Sequence, residues 1–149
     1  KEILTLLKGT NLFLLVLLVA EQVPGSSCDE NPRYKKFLSQ HRDDPRSNVH
    51  PYCNKIMDMR GLTNPCKEVN TFIHGSKKQI QAVCGDGGVP YNGLRRSLDP
   101  FRVTTCTLQG GSTRPPCEYR ENNSPRYIVI GCEGEWPVHY DESQIVRVV

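Results

Sequence analysis

Six cysteines spread through the body of this chain constrain its fold more than any other feature. A small exported domain with little apolar core commonly depends on disulfides, so three bridges are the default expectation. Six cysteines allow fifteen pairings, and spacing alone does not select one. Zinc binding is not expected, because no two cysteines have Cys-x-x-Cys spacing. Cys28 is left over; the six are Cys53, Cys66, Cys84, Cys106, Cys117 and Cys132.

The N-terminal residues indicate export. Lys1 and Lys8 precede an apolar run over residues 12–20, the pattern of a secretory signal peptide, which is too short for a membrane span. We therefore expect a signal peptide over residues 1–22, cleaved somewhere in residues 20–27. A single domain over residues 23–149 of a secreted, extracellular protein would follow. An uncleaved anchor or a buried core helix is the alternative.

The first half of the domain carries helix signals. Asn31 is a suitable N-cap and Pro32 a suitable first helical residue, and apolar residues then recur at helical spacing as far as His41. A second helix is predicted across residues 51–60, and a third from a capping box at Ser76.

The second half of the domain carries strand signals. Strands are predicted over residues 101–108, 126–133 and 136–141, with a turn at residues 121–125. Residues 86–93 are rich in glycine, which predicts a loop. Helices followed by antiparallel strands place the domain in the α+β class. Among the polar side chains, His74 is expected to be exposed and inert, and Arg60 to be solvated.

Three residues far apart in sequence suit one reaction. His41 ends the apolar face of the first helix, His139 lies two residues before Asp141 on the last strand, and Lys67 follows a cysteine. Two histidines can serve as base and acid, and a lysine can stabilise a phosphorane. This set can cleave RNA through its 2′-OH without a metal or a cofactor. A structural His41 and an exposed His139–Asp141 ion pair are the plainer alternatives.

The segment Cys66-Lys67-x-x-Asn70-Thr71-Phe72 resembles the signature of the pancreatic-type ribonuclease (ribonuclease A) family, and the chain is most similar to its angiogenin branch. Matching segments cover nearly the whole exported domain and include Phe37-Leu38-x-Gln40-His41 and Pro137-Val138-His139. The resemblance implies three short helices, a V-shaped antiparallel sheet and three disulfides. These would be Cys53–Cys106, Cys66–Cys117 and Cys84–Cys132.

The resemblance also implies a role for each matched side chain. His41 would be the general base, His139 the general acid and Lys67 the stabiliser of the transition state. The other roles would be Gln40 at the scissile phosphate, Thr71 reading a pyrimidine, Phe72 near the base pocket, Glu133 seating the downstream base and Asp141 orienting His139. Glu142 replaces a glutamine that obstructs the pyrimidine pocket in the angiogenin branch.

The implied function is a secreted endoribonuclease that cleaves RNA 3′ of pyrimidines to a 2′,3′-cyclic phosphate. A low rate, tRNA-type substrates and an angiogenic role are part of the same expectation. The resemblance implies a monomer. Its expected partners are RNA, ribonuclease inhibitor, and a cell-surface receptor or heparin-like polyanions. Nuclear or nucleolar uptake is not favoured, because Met57-Asp58-Met59-Arg60 replaces the family's arginine triplet.

Two other classes of secreted protein remain open. One is a growth-factor-like ligand with little catalytic role, and the other is a cationic antimicrobial protein that acts on membranes. The formal net charge of +3 gives the second only weak support. In both cases the biological effect would survive the substitution His139→Ala, whereas an enzyme would lose it.

Overall fold

The computed structural model describes residues 31–149, and within them the chain forms three helices and eight strands. The expected signal peptide and Cys28 lie outside the described residues. The helices are α1 (Pro32–His41), α2 (Tyr52–Met59) and α3 (Lys77–Ala82). The strands are β1 (Val69–Ile73), β2 (Gly88–Tyr91), β3 (Leu94–Ser97), β4 (Phe101–Leu108), β5 (Tyr119–Tyr127), β6 (Val129–Glu133), β7 (Trp136–Tyr140) and β8 (Val146–Arg147).

The strands belong to two four-stranded antiparallel sheets, with the orders β1-β4-β5-β8 and β2-β3-β6-β7. The α+β class is confirmed. Three disulfides join Cys53 to Cys106, Cys66 to Cys117 and Cys84 to Cys132, the same pairs that the resemblance implies. No helix in residues 31–149 is long and apolar enough to cross a membrane.

Local signals start and end the helices as the sequence predicts. The side chain of Asn31 accepts a hydrogen bond from the amide of Arg33 at the start of α1. Ser76 and Gln79 form a reciprocal capping box at the start of α3. Gly61 follows α2 with a φ of +72°, the left-handed conformation that glycine adopts most readily.

Two apolar clusters lie on opposite faces of β1, because successive side chains of a strand alternate. Ile73 packs in one cluster with Phe37, and Phe72 packs in the other with Tyr52. Helix α1 contacts both β1 and β7, which belong to different sheets. One helix therefore brings the two sheets, and the polar residues at their ends, to a common place.

Two predictions about the strands were wrong. Residues 86–93 contain β2, which pairs with β3 through a turn at Asn92-Gly93. Both turn residues have positive φ (49° and 78°), as hairpin turns of this length require. Residues 121–125 are not a turn, because β5 runs through them and pairs with β4 along its length.

Two predictions about polar side chains were also wrong. Arg60 is partly buried and donates hydrogen bonds to the carbonyls of Ser39 and Arg42 and to the carboxylate of Asp43. His74 is half-buried, with Nδ1 2.7 Å from the carbonyl oxygen of Asp43 and Nε2 2.7 Å from Oγ1 of Thr104. Both residues connect segments that are distant in sequence.

Candidate active site

A cavity of about 530 Å³ lies where α1, the segment just before β1 and the end of β7 meet. Residues from all three segments line it, including His41, Lys67 and His139. The structure therefore brings together the three residues on which the sequence-based hypothesis depends. Gln40, Asp141 and Glu142 also line this cavity, which we call the cleft.

His41 is held in one orientation at the end of α1. Its side chain is only 5% exposed, and Nδ1 lies 2.9 Å from the carbonyl oxygen of Thr71. A carbonyl only accepts, so Nδ1 carries the proton and the neutral ring has its lone pair on Nε2. The ring also stacks on Tyr140, with 5.3 Å between centroids.

The pKa of His41 is lowered to about 4, chiefly by burial. The positive charges of Lys67 and His139 lower it further, and the hydrogen bond to Thr71 opposes these effects. His41 is therefore neutral near pH 7 and can accept a proton at Nε2, which is the state that a general base needs.

Lys67 is fixed by a buried amide. Its Nζ donates to Oδ1 of Asn70 at 2.7 Å, and Nδ2 of Asn70 donates to the carbonyl of Gln40 at 2.9 Å. Burial lowers the pKa of Lys67, Glu142 opposes this, and Lys36 lowers it further. Asn70, which is fully buried, thus ties the ammonium group to the helix that carries His41.

His139 is exposed on β7, opposite Gly131 on β6. A Cβ atom at position 131 would lie 3.2 Å from the Cβ of His139, so glycine leaves room for the histidine. No hydrogen bond joins Asp141 to His139 in residues 31–149, so the role of Asp141 in orienting His139 stays a prediction. Oδ1 of Asp141 instead accepts from the amide and the hydroxyl of Ser143, at 3.0 and 2.6 Å.

Glu142 occupies the hydrogen-bonding groups of Thr71. The Thr71 amide donates to Oε2 at 2.8 Å, and its hydroxyl donates to Oε1 at 2.6 Å. The Thr71 hydroxyl also lies 3.0 Å from that of Thr105. Burial raises the pKa of Glu142, while its hydrogen bonds to Thr71 and the charges of Lys67 and Arg126 oppose the increase. A pyrimidine can reach these groups of Thr71 only if Glu142 moves.

Two residues expected to bind substrate have other contacts. Phe72 is fully buried beside Tyr52, on the opposite face of β1 from Thr71, so it supports the strand and does not line the cleft. The carboxylate of Glu133 forms an ion pair with Arg33 and accepts from Asn31 at 2.6 Å. These contacts join Glu133 to the start of α1, and its role toward the downstream base stays a prediction.

Reasoning from sequence missed three residues of the site: Asn70 as the partner of Lys67, Tyr140 as the ring beneath His41, and Lys36 in the cleft wall. Lys36 could have been found, because it lies four residues before Gln40 on the same helix face. Within residues 31–149 no three His, Cys, Asp or Glu side chains are grouped so as to hold a metal ion.

Comparison with known proteins gives consistent matches. The family model described as pancreatic ribonuclease matches residues 32–141. Angiogenin of Mus musculus is 50% identical over 134 residues, covering 89% of this chain and 92% of its own. Angiogenin-4 of Mus musculus is 52% identical over 134 residues, covering 89% and 93%.

Solved structures agree with the relatives. The crystal structure of green turtle egg white ribonuclease has a TM-score of 0.72 and 50% identity, covering 75% of this chain and 98% of that one. The X-ray structure of zebrafish RNase5 has a TM-score of 0.67 and 50% identity, covering 74% and 93%.

Proposed function

The chain belongs to the pancreatic ribonuclease family, and we propose that, as an endoribonuclease of this type, it uses His41, Lys67 and His139 to cleave RNA on the 3′ side of pyrimidines. His41 would take the proton of the ribose 2′-OH at Nε2 while that oxygen attacks phosphorus. His139 would give a proton to the departing 5′-oxygen, and Lys67 would stabilise the phosphorane. The product would be a 2′,3′-cyclic phosphate, which the exchanged roles of the two histidines would hydrolyse.

One observation supports this proposal most strongly. The hydrogen bond from Nδ1 of His41 to the Thr71 carbonyl leaves Nε2 unprotonated, in the cleft that Lys67 and His139 also line. A histidine kept only for packing would not need to line a cavity together with a lysine and a second histidine.

The direct test is cleavage of the dinucleotide CpA and of tRNA by the oxidised protein in the presence of EDTA. His139→Ala is the test variant. His50→Ala is the matched control, because His50 is exposed and lies outside the cleft. We expect wild type and the control to cleave and His139→Ala to be inactive. Equal cleavage by wild type and His139→Ala would overturn the two-histidine mechanism.

A low rate belongs to the proposal. Glu142 blocks the groups with which Thr71 would read a pyrimidine, and its charge repels RNA phosphates. Structured RNA such as tRNA is the proposed substrate class, cut at exposed single-stranded pyrimidines.

An angiogenic role is proposed from the relatives' name of angiogenin alone. The test compares endothelial tube formation induced by wild type and by His139→Ala. A growth-factor-like ligand would remain active after the substitution, whereas a catalytic role would be lost.

We further propose that the N-terminal signal peptide is removed on export, and that ribonuclease inhibitor and a cell-surface receptor or heparin-like polyanion bind the monomer.

A further inference from the structure

A second cavity, of about 630 Å³, lies on the sheet of β1, β4 and β5, on the face turned away from the Thr71 side chain. Thr71 pairs with Thr105, whereas Thr104, the preceding residue of β4, pairs with Asn123 on β5. Because successive side chains of a strand point to opposite faces, Thr104 and Asn123 share the face opposite to that of Thr71. His74 contacts Thr104 on this face and lines the cavity, which we call the His74 cavity.

A chain of hydrogen bonds fixes the charge of His74. Nδ2 of Asn123 donates to Oε2 of Glu121 at 2.6 Å, so Oδ1 of Asn123 accepts from the hydroxyl of Thr104, also at 2.6 Å. That hydroxyl has one hydrogen, so its oxygen accepts from Nε2 of His74 at 2.7 Å. Nδ1 of His74 donates to the carbonyl oxygen of Asp43 at 2.7 Å. Both ring nitrogens therefore carry hydrogen, and the imidazole ring is positively charged in this arrangement.

Two arginines add to the positive charge of the His74 cavity. Arg46 and Arg102 both line it, and Glu121 is the acidic residue of its wall. Arg46 pairs with Glu121 at 3.1 Å, whereas no ion pair within 4.0 Å engages Arg102 in residues 31–149. The two guanidinium groups and the ring of His74 therefore face one carboxylate, and the excess positive charge suits a doubly charged anion.

The amount of charge indicates which anion. A phosphate monoester carries about two negative charges near pH 7, whereas each phosphodiester of RNA carries one. Planar guanidinium groups bind the oxygen atoms of a phosphate through charge-assisted hydrogen bonds. The Asp43 carboxylate does not compete with the anion, because it does not line the cavity and is paired with Arg60 at 3.2 Å. A monoester therefore matches the cavity better than a segment of RNA backbone does.

We propose that the His74 cavity is a binding site for a phosphate monoester, such as a sugar phosphate or the terminal phosphate of a nucleotide, with Arg46 and Arg102 holding its oxygen atoms near the charged ring of His74. None of the residues that line this cavity lines the cleft, so the inference does not depend on the proposed function. The bound monoester would take the place of Glu121 as the partner of Arg46.

The test is an NMR titration of the isotope-labelled, oxidised protein with ribose 5-phosphate, dimethyl phosphate and methyl sulfate. These probes are a phosphate monoester, a phosphodiester and a sulfate ester, so they separate the possible sources of the anion. We expect ribose 5-phosphate to shift the signals of Arg46, Arg102 and Asn123 along a saturable curve. It should bind about tenfold more tightly than either singly charged probe, as for one additional charge-assisted hydrogen bond. The signals of His41 and His139 report separately on binding in the cleft.

Arg102→Gln is the test variant, because Arg102 is exposed and has no ion pair to lose in residues 31–149. It should reduce the affinity for ribose 5-phosphate about tenfold and leave the rate of CpA cleavage unchanged. Arg120→Gln is the matched control and should bind like wild type, because Arg120 is an exposed arginine of the same sheet that lines a different cavity. Shifts confined to the cleft, an equal affinity for the three probes, or an equal loss in the control would overturn the inference.

Discussion

Both oxygens of the Glu142 carboxylate accept hydrogen bonds from Thr71, one from its amide at 2.8 Å and one from its hydroxyl at 2.6 Å. These are the two groups with which Thr71 would recognise a pyrimidine. The side chain that we propose to limit substrate binding therefore lines the same cleft as the reacting groups without being one of them.

Removing the Glu142 side chain should increase activity. Glu142→Ala exposes both Thr71 groups and removes a negative charge, and hydrogen bonds to a charged partner contribute about 1.5–3 kcal/mol. We expect kcat/KM for CpA to rise about tenfold or more, measured at steady state. Glu142→Gln should give a smaller increase, because an amide still reaches Thr71. Glu135→Gln, an exposed position that contacts Gln81, is the control, and an unchanged rate in Glu142→Ala would contradict the obstruction.

The obstruction by Glu142 should weaken in acid. Burial raises the pKa of this carboxyl, so it becomes protonated at a higher pH than an exposed glutamate. A neutral carboxyl accepts weaker hydrogen bonds from Thr71 than a carboxylate does. The ratio of the Glu142→Ala rate to the wild-type rate should therefore fall as the pH is lowered from about 7 to 4. A ratio that is constant over this range would show that charge does not hold the side chain in place.

His41 should titrate at a much lower pH than an exposed histidine. Its pKa is lowered from 6.5 to about 4, mainly by burial and also by the charges of Lys67 and His139. The acid limb of kcat/KM should lie near pH 4, and an NMR titration of the ring should give the same midpoint. Lys67→Gln removes one cation and should raise that midpoint. A ring that titrates near 6.5 would contradict the burial of His41.

The lowered pKa of His41 also makes the free energy of unfolding depend on pH. Between pH 6.5 and 4 the unfolded chain binds a proton at His41 that the folded chain does not. The stability that a neutral His41 provides is complete above about 6.5 and is lost as the pH falls through the folded pKa, by about 3 kcal/mol. Urea unfolding across this range should show a weaker pH dependence in His41→Asn than in wild type. Parallel curves for the two proteins would refute the linkage.

Lys67 should matter to the reaction through its charge and its fixed position. Lys67→Ala should reduce kcat by a factor of about 10² to 10³, as for a lost oxyanion donor. Asn70→Ala should reduce kcat less, because the lysine stays but its 2.7 Å hydrogen bond is lost. The exposed Lys55 provides a control substitution. A loss below tenfold in Lys67→Ala would mean that the ammonium group does not face the phosphate.

Asp43 should be a main source of stability. It is 4% exposed and accepts from the amide and hydroxyl of Ser47, from Tyr52 and from Arg60, at 2.7–3.2 Å. Asp43→Ala leaves these groups unpaired, and breaking a buried pair costs about 3–5 kcal/mol. Urea denaturation measures this loss. Asp58→Ala, which removes one exposed contact to Thr63, should cost far less.

The helices could be predicted because their signals are local. Asn31 and Ser76 cap the residues that follow them in sequence, and the structure uses both. The errors concern elements set by distant partners. Residues 121–125 have a polar, turn-like sequence, yet pairing with β4 holds them extended. The hairpin of β2 and β3 was missed because the glycine-rich residues 86–93 were interpreted as a loop, although Asn92-Gly93 is a typical hairpin turn.

The candidate site was also predictable only in part. The two histidines and the lysine were found because their chemistry is distinctive, and the fold brings them into one cleft. The contacts around them could not be read from spacing. Asp141 lies two residues from His139 but bonds with Ser143, which is equally near in sequence and better placed. Glu133 forms an ion pair with Arg33, a hundred residues earlier, and this contact could not be predicted from spacing.

The disulfide between Cys53 and Cys106 has a further consequence. The two residues are 2% and 0% exposed, so a reducing agent cannot reach their sulfur atoms while the native structure persists. Reduction of this bridge then has to wait for an opening of the fold. The rate at which thiols reduce this bridge is therefore limited by how often the fold opens, and a variant with a less stable fold should lose the bridge faster at the same thiol concentration.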